Sequence, residues 1–176
     1  SLRTPEISVQ VAKSVAASLE WYELTDIGDH VNALKLASAA LGDDGASSRL
    51  LEPQLQRAYS SYALGETRYL ASVPRLIGVA RERGFHRLAA IGSRILSVAA
   101  MGRADAAASM AHTESGLADA LKSRDPDLIA LFETAMSEAL FEHGDADGAA
   151  NHLALALKQL PHARRRRRSY ETLAEG

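Results

Sequence analysis

The sequence contains no cysteine and few aromatic or β-branched residues. Without cysteine, a disulfide framework and a cysteine-ligated zinc site are both excluded. Aromatic residues make up only 5% of the 176 residues, and valine and isoleucine together occur 13 times against 33 alanines and 24 leucines. Because alanine and leucine favour helices whereas β-branched and aromatic residues favour strands, this composition predicts an all-α protein.

Long apolar runs are also missing. No run approaches the roughly 18 residues that a membrane-spanning helix needs, and no secretory signal peptide is recognisable. Together with the lack of cysteine, these features predict a cytoplasmic protein without a membrane partner. The length suits a single domain over residues 1–176.

The usual motifs of catalysis and cofactor binding do not occur. The sequence has no GxGxxG, no P-loop, no GxSxG and no HExxH, and its six histidines are scattered. Glu133, Glu138 and Glu142 share one predicted helix, where a solvated stripe is favoured over an acid–base pair. We therefore expect no enzymatic activity, no cofactor and no metal.

The net charge of −2 hides a strong segregation of charge along the chain. Segment 1–48 carries a net charge of −4, segment 49–103 of +6, segment 104–160 of −7 and segment 161–176 of +3. Blocks of this size predict a surface with distinct electrostatic faces that steer charged partners. Ordinary solvated helix faces that differ by chance would give the same pattern.

Four glycines divide the chain at similar intervals. Gly28, Gly65, Gly102 and Gly144 are 37, 37 and 42 residues apart, and each separates two apolar-periodic stretches of helical length. Because glycine lets a helix end in the left-handed conformation, each predicts a break between two antiparallel helices. Pro74 lies inside one of these predicted helices, where we expect a kink.

Longer breaks at 42–48, 83–85 and 123–127 separate the helix pairs from one another. The pattern predicts four hairpins at about residues 5–42, 47–83, 86–122 and 126–160. Asp125 is expected to cap the first helix of the last hairpin, with Pro126 at its first position. A single hairpin cannot bury both of its apolar faces, so the hairpins must stack.

This organisation resembles the tetratricopeptide repeat, a helix–turn–helix of about 34 residues with small residues where the paired helices touch. The two best-matching units carry the expected residues at Gly28, Asp29, Ala33, Ala37 and Ala40, and at Gly144, Asp145, Ala149, Ala156 and Pro161. The two middle units are degenerate, and the aromatic signature is incomplete. The resemblance implies a right-handed superhelical stack of about four such hairpins. Residues 162–174 are expected to add a C-terminal capping helix.

The resemblance also implies a concave groove lined by the first helix of each hairpin. Carried over position by position, the groove residues are Tyr22, Asp26, Gln56, Tyr59, Tyr62, Ser93, Glu138 and Glu142. Tyrosine suits recognition because it offers a large contact area and a hydroxyl, although these rings could instead pack between helices. The groove positions hold no lysine, so an apolar or basic peptide, or a small aromatic ligand, is favoured over an acidic C-terminal tail.

Five consecutive arginines follow the last predicted hairpin. They are Arg164, Arg165, Arg166, Arg167 and Arg168. Such a run can neutralise phosphates, but residues 1–160 carry a net charge of −5 and contain no recognisable helix-turn-helix. A solvated helix rim, or a contact with the acidic segment 104–160, is favoured over binding to nucleic acid or to an acidic protein.

The sequence therefore favours a non-catalytic scaffold that binds a protein or peptide in its groove. The alternative is a ligand-sensing or oligomerisation domain of a bacterial transcription regulator, whose DNA-binding domain would lie outside this chain. Such regulators are similar in their Ala-, Arg- and Gly-rich composition and degenerate repeats. An exposed end hairpin would also permit a homodimer.

Overall fold

Every element in the part of the chain that the structure describes is helical. The computed structural model describes residues 25, 28–41 and 51–159. The helices are α1 (His30–Leu41), α2 (Leu51–Ala63), α3 (Val73–Glu82), α4 (His86–Met101), α5 (Ala106–Ser123), α6 (Pro126–Glu142) and α7 (146–159), with a 3₁₀ turn at Leu70–Ser72. The predicted all-α class is confirmed. Tyr22, Asp26, the arginine run and the predicted capping helix lie outside the described residues.

The helices divide into two compact units, residues 1–76 and 77–176. In the first unit, α1 and α2 pack against each other. Ala33 and Ala37 are fully buried, and Leu36 and Tyr59 pack against them. Small side chains on α1 let the two helices approach closely.

The start of α1 is fixed by Asp29. Its carboxylate accepts hydrogen bonds from the backbone N–H of Asn32 at 3.2 Å and from the Asn32 side-chain amide at 2.7 Å. These two hydrogen bonds hold the pKa of Asp29 below its ordinary value. Asp29 therefore acts as an N-cap that supplies an acceptor to an otherwise unpaired helical donor.

The expected kink at Pro74 is wrong. The predicted helix after Gly65 is instead a 3₁₀ turn, Leu70–Ser72, followed by α3, which begins at Val73. Pro74 is thus the second residue of a helix, where the N–H that proline lacks has no intrahelical acceptor. The proline marks the beginning of a helix rather than a bend within one.

In the second unit, α4 packs against α5, and α5 packs against α6. Its main apolar cluster consists of Ala90, Ala120, Ile129 and Phe132, with Leu117 and Leu128 at the edge. One large ring among small residues fills the space where three helices meet. Among the described residues, no helix combines the length and the apolar character needed to cross a membrane.

Three of the four glycine breaks have the predicted conformation, and one does not. Gly28, Gly65 and Gly144 have φ values of +79°, +85° and +83°. Gly102 follows α4 as predicted, but its φ is −61°, and Ala104 takes the left-handed conformation instead with φ 57°. The connection between α4 and α5 therefore turns two residues later than the glycine indicates.

We expect Gly144→Val to destabilise the α6–α7 hairpin by about 2 kcal/mol, because a β-branched residue resists a positive φ. No heavy atom lies within 4 Å of the added Cβ position, so the loss would come from the backbone alone. Thermal unfolding followed by circular dichroism measures it. Gly144→Asn is the control, and its free energy of unfolding should fall by about half as much, since asparagine tolerates this conformation. An unchanged melting temperature for the valine variant would contradict this role.

Candidate peptide-binding surface

Helix α6 has a firmly fixed beginning. The Asp125 carboxylate accepts hydrogen bonds from the backbone N–H groups of Asp127 at 3.1 Å and Leu128 at 3.5 Å, and Pro126 is the first helical residue. Arg87 of α4 donates its Nε–H to the same carboxylate at 3.1 Å. The cap and the proline were both predicted from the sequence and are confirmed, whereas the link to Arg87 was not foreseen.

The inner side of α6 is held by close packing against α5. Phe132 is fully buried, and its ring lies against Gly116, where a Cβ would overlap it. The glycine in the middle of α5 is therefore a space for the phenylalanine ring. This contact fixes the rotation of α6 about its own axis.

The side of α6 that faces α7 is polar. Glu133 is buried, and its Oε2 lies 2.6 Å from Nδ1 of His152 on α7. One turn along, the Ser137 hydroxyl donates to the carbonyl oxygen of Ala149 at 2.8 Å. The prediction that Glu133 shares a solvated stripe with Glu138 is wrong. The spacing could have shown this, because residues five apart on a helix point about 140° away from each other.

The remaining side of α6 faces solvent, and we call it the α6 outer face. It consists of Asp127, Leu131, Glu138, Phe141 and Glu142, all of which are exposed. Leu131 is 39% exposed and Phe141 is 70% exposed. Helix α6 contains no lysine, arginine or histidine. The α6 outer face is thus apolar and acidic together.

The end of α6 adds to this negative charge. The last carbonyl groups of a helix carry a partial negative charge, and Glu138 and Glu142 lie in this region. His143 follows immediately, and its Nδ1 lies 2.7 Å from the carbonyl oxygen of Ala139. Asp145 caps α7 by accepting from the Gly148 N–H at 2.9 Å. This end of the hairpin therefore combines a helix C-terminus with several carboxylates.

Two predicted groove residues of the first unit, Gln56 and Tyr59, are engaged in helix packing. Gln56 is buried. The Tyr59 ring meets His30 edge to face, with 5.9 Å between ring centroids, and Tyr62 is half-buried. The alternative that these rings pack between helices therefore describes Tyr59 better than an open groove position does.

The groove residues of the second unit differ from one another. Ser93 on α4 is 1% exposed, so its hydroxyl is not available to a ligand. Glu138 and Glu142 are exposed and belong to the α6 outer face. Leu131 and Phe141 were not foreseen as site residues. The sequence pattern that could have identified them is a large apolar residue on the otherwise polar side of an amphipathic helix.

A buried carboxylate, Asp119 on α5, is the other feature that sequence reasoning missed. Arg81 donates from Nε at 2.8 Å and from Nη2 at 2.6 Å to Asp119 Oδ2. Nδ1 of His86 lies 3.3 Å from Oδ1, and the Ser115 hydroxyl accepts from Arg81 Nη2 at 2.6 Å. These contacts bind the end of α3 and the start of α4 to α5. The carboxylate is therefore used to hold the fold together.

The described residues include no group of three or more histidine or carboxylate side chains placed to hold a metal ion. No family model, curated protein or solved structure gives a significant match to this chain.

Proposed function

We propose that this protein is a non-catalytic helical scaffold that binds a segment of another protein, and that its hairpins stack as in a tetratricopeptide array. The observation that supports the proposal is the α6 outer face, where two of the exposed large apolar side chains, Leu131 and Phe141, lie beside exposed carboxylates on one side of a firmly held helix. Exposed apolar groups within a polar surround are typical of protein-binding surfaces.

The α6 outer face is suited to binding because it is ordered before a partner arrives. Asp125 fixes the start of α6, Phe132 fixes its rotation, and Glu133 ties it to α7. A preorganised surface loses little conformational entropy on binding. Covering the exposed parts of Leu131 and Phe141 would contribute about 2–3 kcal/mol, which corresponds to roughly 30- to 150-fold in affinity.

The buried ionisable groups support a scaffold rather than an enzyme. Asp119, Asp125 and Glu133 each accept hydrogen bonds or lie at hydrogen-bonding distance from a side chain of a neighbouring helix. A catalytic acid or base needs access to a substrate, whereas these carboxylates join helices to one another.

A peptide-display selection tests this function. We expect the purified protein to enrich peptides from a random library. A Leu131→Ser/Phe141→Ser variant should bind the selected peptides at least roughly tenfold more weakly, because the apolar contact is lost. The affinity of each selected peptide is measured by fluorescence anisotropy.

The matched control is Met101→Ser/Leu121→Ser, which removes two exposed apolar side chains elsewhere in the same unit. It should bind the selected peptides as the wild type does. A selection that enriches no peptide, or peptides that bind both double variants equally well, would contradict the proposed function.

A further inference from the structure

We propose that the segment bound by the α6 outer face is basic as well as apolar: a stretch of a partner protein with arginine or lysine between two large apolar side chains. This inference depends on the proposed function and adds the chemistry of the partner. It follows from the charge and the spacing of the residues on α6.

The charge of α6 has one sign. Of its four carboxylates, Glu133 is buried against His152, whereas Asp127, Glu138 and Glu142 are exposed. No basic side chain on the helix balances them. A partner with negative charge would be repelled, and one with positive charge would be attracted and oriented. The carbonyl end of α6 strengthens this preference where Glu138 and Glu142 lie.

Exposed basic residues next to α6 lie at its start, where Lys122 and Arg124 precede it in the chain, so the acidic character belongs to the end that carries Glu138 and Glu142. Helix α7 carries Asp147 near its start and one basic residue, Lys158, near its end. Asp145 and His143 are the other titratable groups close to the α6 terminus, and Nδ1 of His143 contacts the carbonyl oxygen of Ala139. The region around Phe141 is therefore acidic on both helices of the hairpin.

The spacing of the apolar residues defines the partner further. Leu131 and Phe141 are ten residues apart on a helix, about 15 Å along its axis, and Glu138 lies between them. An extended peptide covers about 15 Å in four to five residues. A peptide with a leucine and a phenylalanine about five positions apart would place one apolar side chain against Leu131 and the other against Phe141. Arginines between them would lie beside Glu138.

Three matched peptides test the inference. Each is a labelled peptide of roughly 11 residues with leucine and phenylalanine about five positions apart, and the residues between them are arginine, glutamine or glutamate. Binding to the full chain is measured by fluorescence anisotropy at low and at moderate salt. The arginine peptide should bind most tightly, and its affinity should fall as salt rises, because screening weakens attraction between exposed charges.

The variant Glu138→Gln/Glu142→Gln removes the charge and keeps the shape of the surface. It should lower the affinity for the arginine peptide roughly fivefold, since each exposed charge contact contributes modestly. The affinity for the glutamine peptide should not change. Glu114→Gln, an exposed carboxylate on α5, is the matched control and should change neither affinity. Equal binding of the arginine and glutamate peptides, or an equal effect of Glu114→Gln, would overturn the inference.

The arginine run of the chain is a competing occupant, and a further variant distinguishes it. Replacing Arg164–Arg168 with glutamine should leave the affinity for the arginine peptide within about twofold, because losing a remote charge has little effect on a contact it does not make. A clear tightening would show that the chain covers α6 with its own arginines and would overturn the inference. Tight binding of the glutamine peptide through Leu131 and Phe141 alone would keep the scaffold function and reject the basic partner. Failure of all three peptides, together with an empty display selection, would reject the scaffold function itself.

Discussion

Arg81→Met is expected to lower the free energy of unfolding by about 2–3 kcal/mol. The change removes two hydrogen bonds to Asp119, which is 2% exposed, and leaves that carboxylate with His86 and no guanidinium. Breaking a buried ion pair by removing one partner usually costs about 3–5 kcal/mol. We expect less here because the Arg81 side chain is 42% exposed and His86 remains. Denaturant unfolding followed by circular dichroism measures the loss.

A double variant shows how much of this destabilisation comes from leaving the buried Asp119 carboxylate without its arginine partner. Arg81→Met/Asp119→Leu removes both partners and should recover part of the loss, because no unpaired charge then remains buried. Arg103→Met, at an exposed position after α4, serves as the matched control and should change stability by less than about 0.5 kcal/mol. If Arg81→Met destabilised the protein no more than this control does, Asp119 would not have the structural role assigned to it.

Gly116→Ala is expected to cost about 1–3 kcal/mol, although alanine is normally the better helix former. The added methyl group would overlap the ring of Phe132, which is fully buried and cannot move aside freely. The helices α5 and α6 would have to separate. The free energy of unfolding of the purified variant measures the effect.

The same substitution at Gly78 is a control for which we expect the free energy of unfolding to rise rather than fall. Gly78 lies within α3, has a helical backbone and has no heavy atom within 4 Å of an added Cβ. Gly78→Ala should therefore stabilise the protein by about 0.5–1 kcal/mol. A Gly116→Ala variant as stable as the wild type would show that α5 and α6 do not pack as described.

The helical elements could be predicted from the sequence because local signals determine them. Alanine and leucine content indicated the class, and Asp125 with Pro126 indicated the beginning of α6. Gly144 indicated its end, since a positive φ is a property of one residue and its immediate neighbours. At Pro74 and Gly102 the sequence indicates an interruption of the helix but not its geometry. Pro74 lies at the start of α3 instead of in a kink, and Ala104 instead of Gly102 takes the left-handed conformation.

The candidate site could be predicted only in part, because burial depends on which helices meet. The position of Ser93 in a repeat predicts a groove residue, yet the fold buries its side chain. Glu133 has the same chemistry as Glu138, and although helix geometry puts them on different sides of α6, only the position of α7 shows which of the two is buried. The pair formed by Arg81 and Asp119 joins residues 38 positions apart, which no local pattern indicates.

Chemical-shift mapping of a bound peptide shows directly whether α6 is the helix that binds the partner. The arginine peptide is added to isotopically labelled protein, and the backbone amide shifts are followed by NMR. We expect the largest changes within residues 127–142, centred on Leu131, Glu138 and Phe141. Changes confined to residues 51–76, or to the exposed side of α5, with α6 unaffected, would show that α6 does not bind the partner.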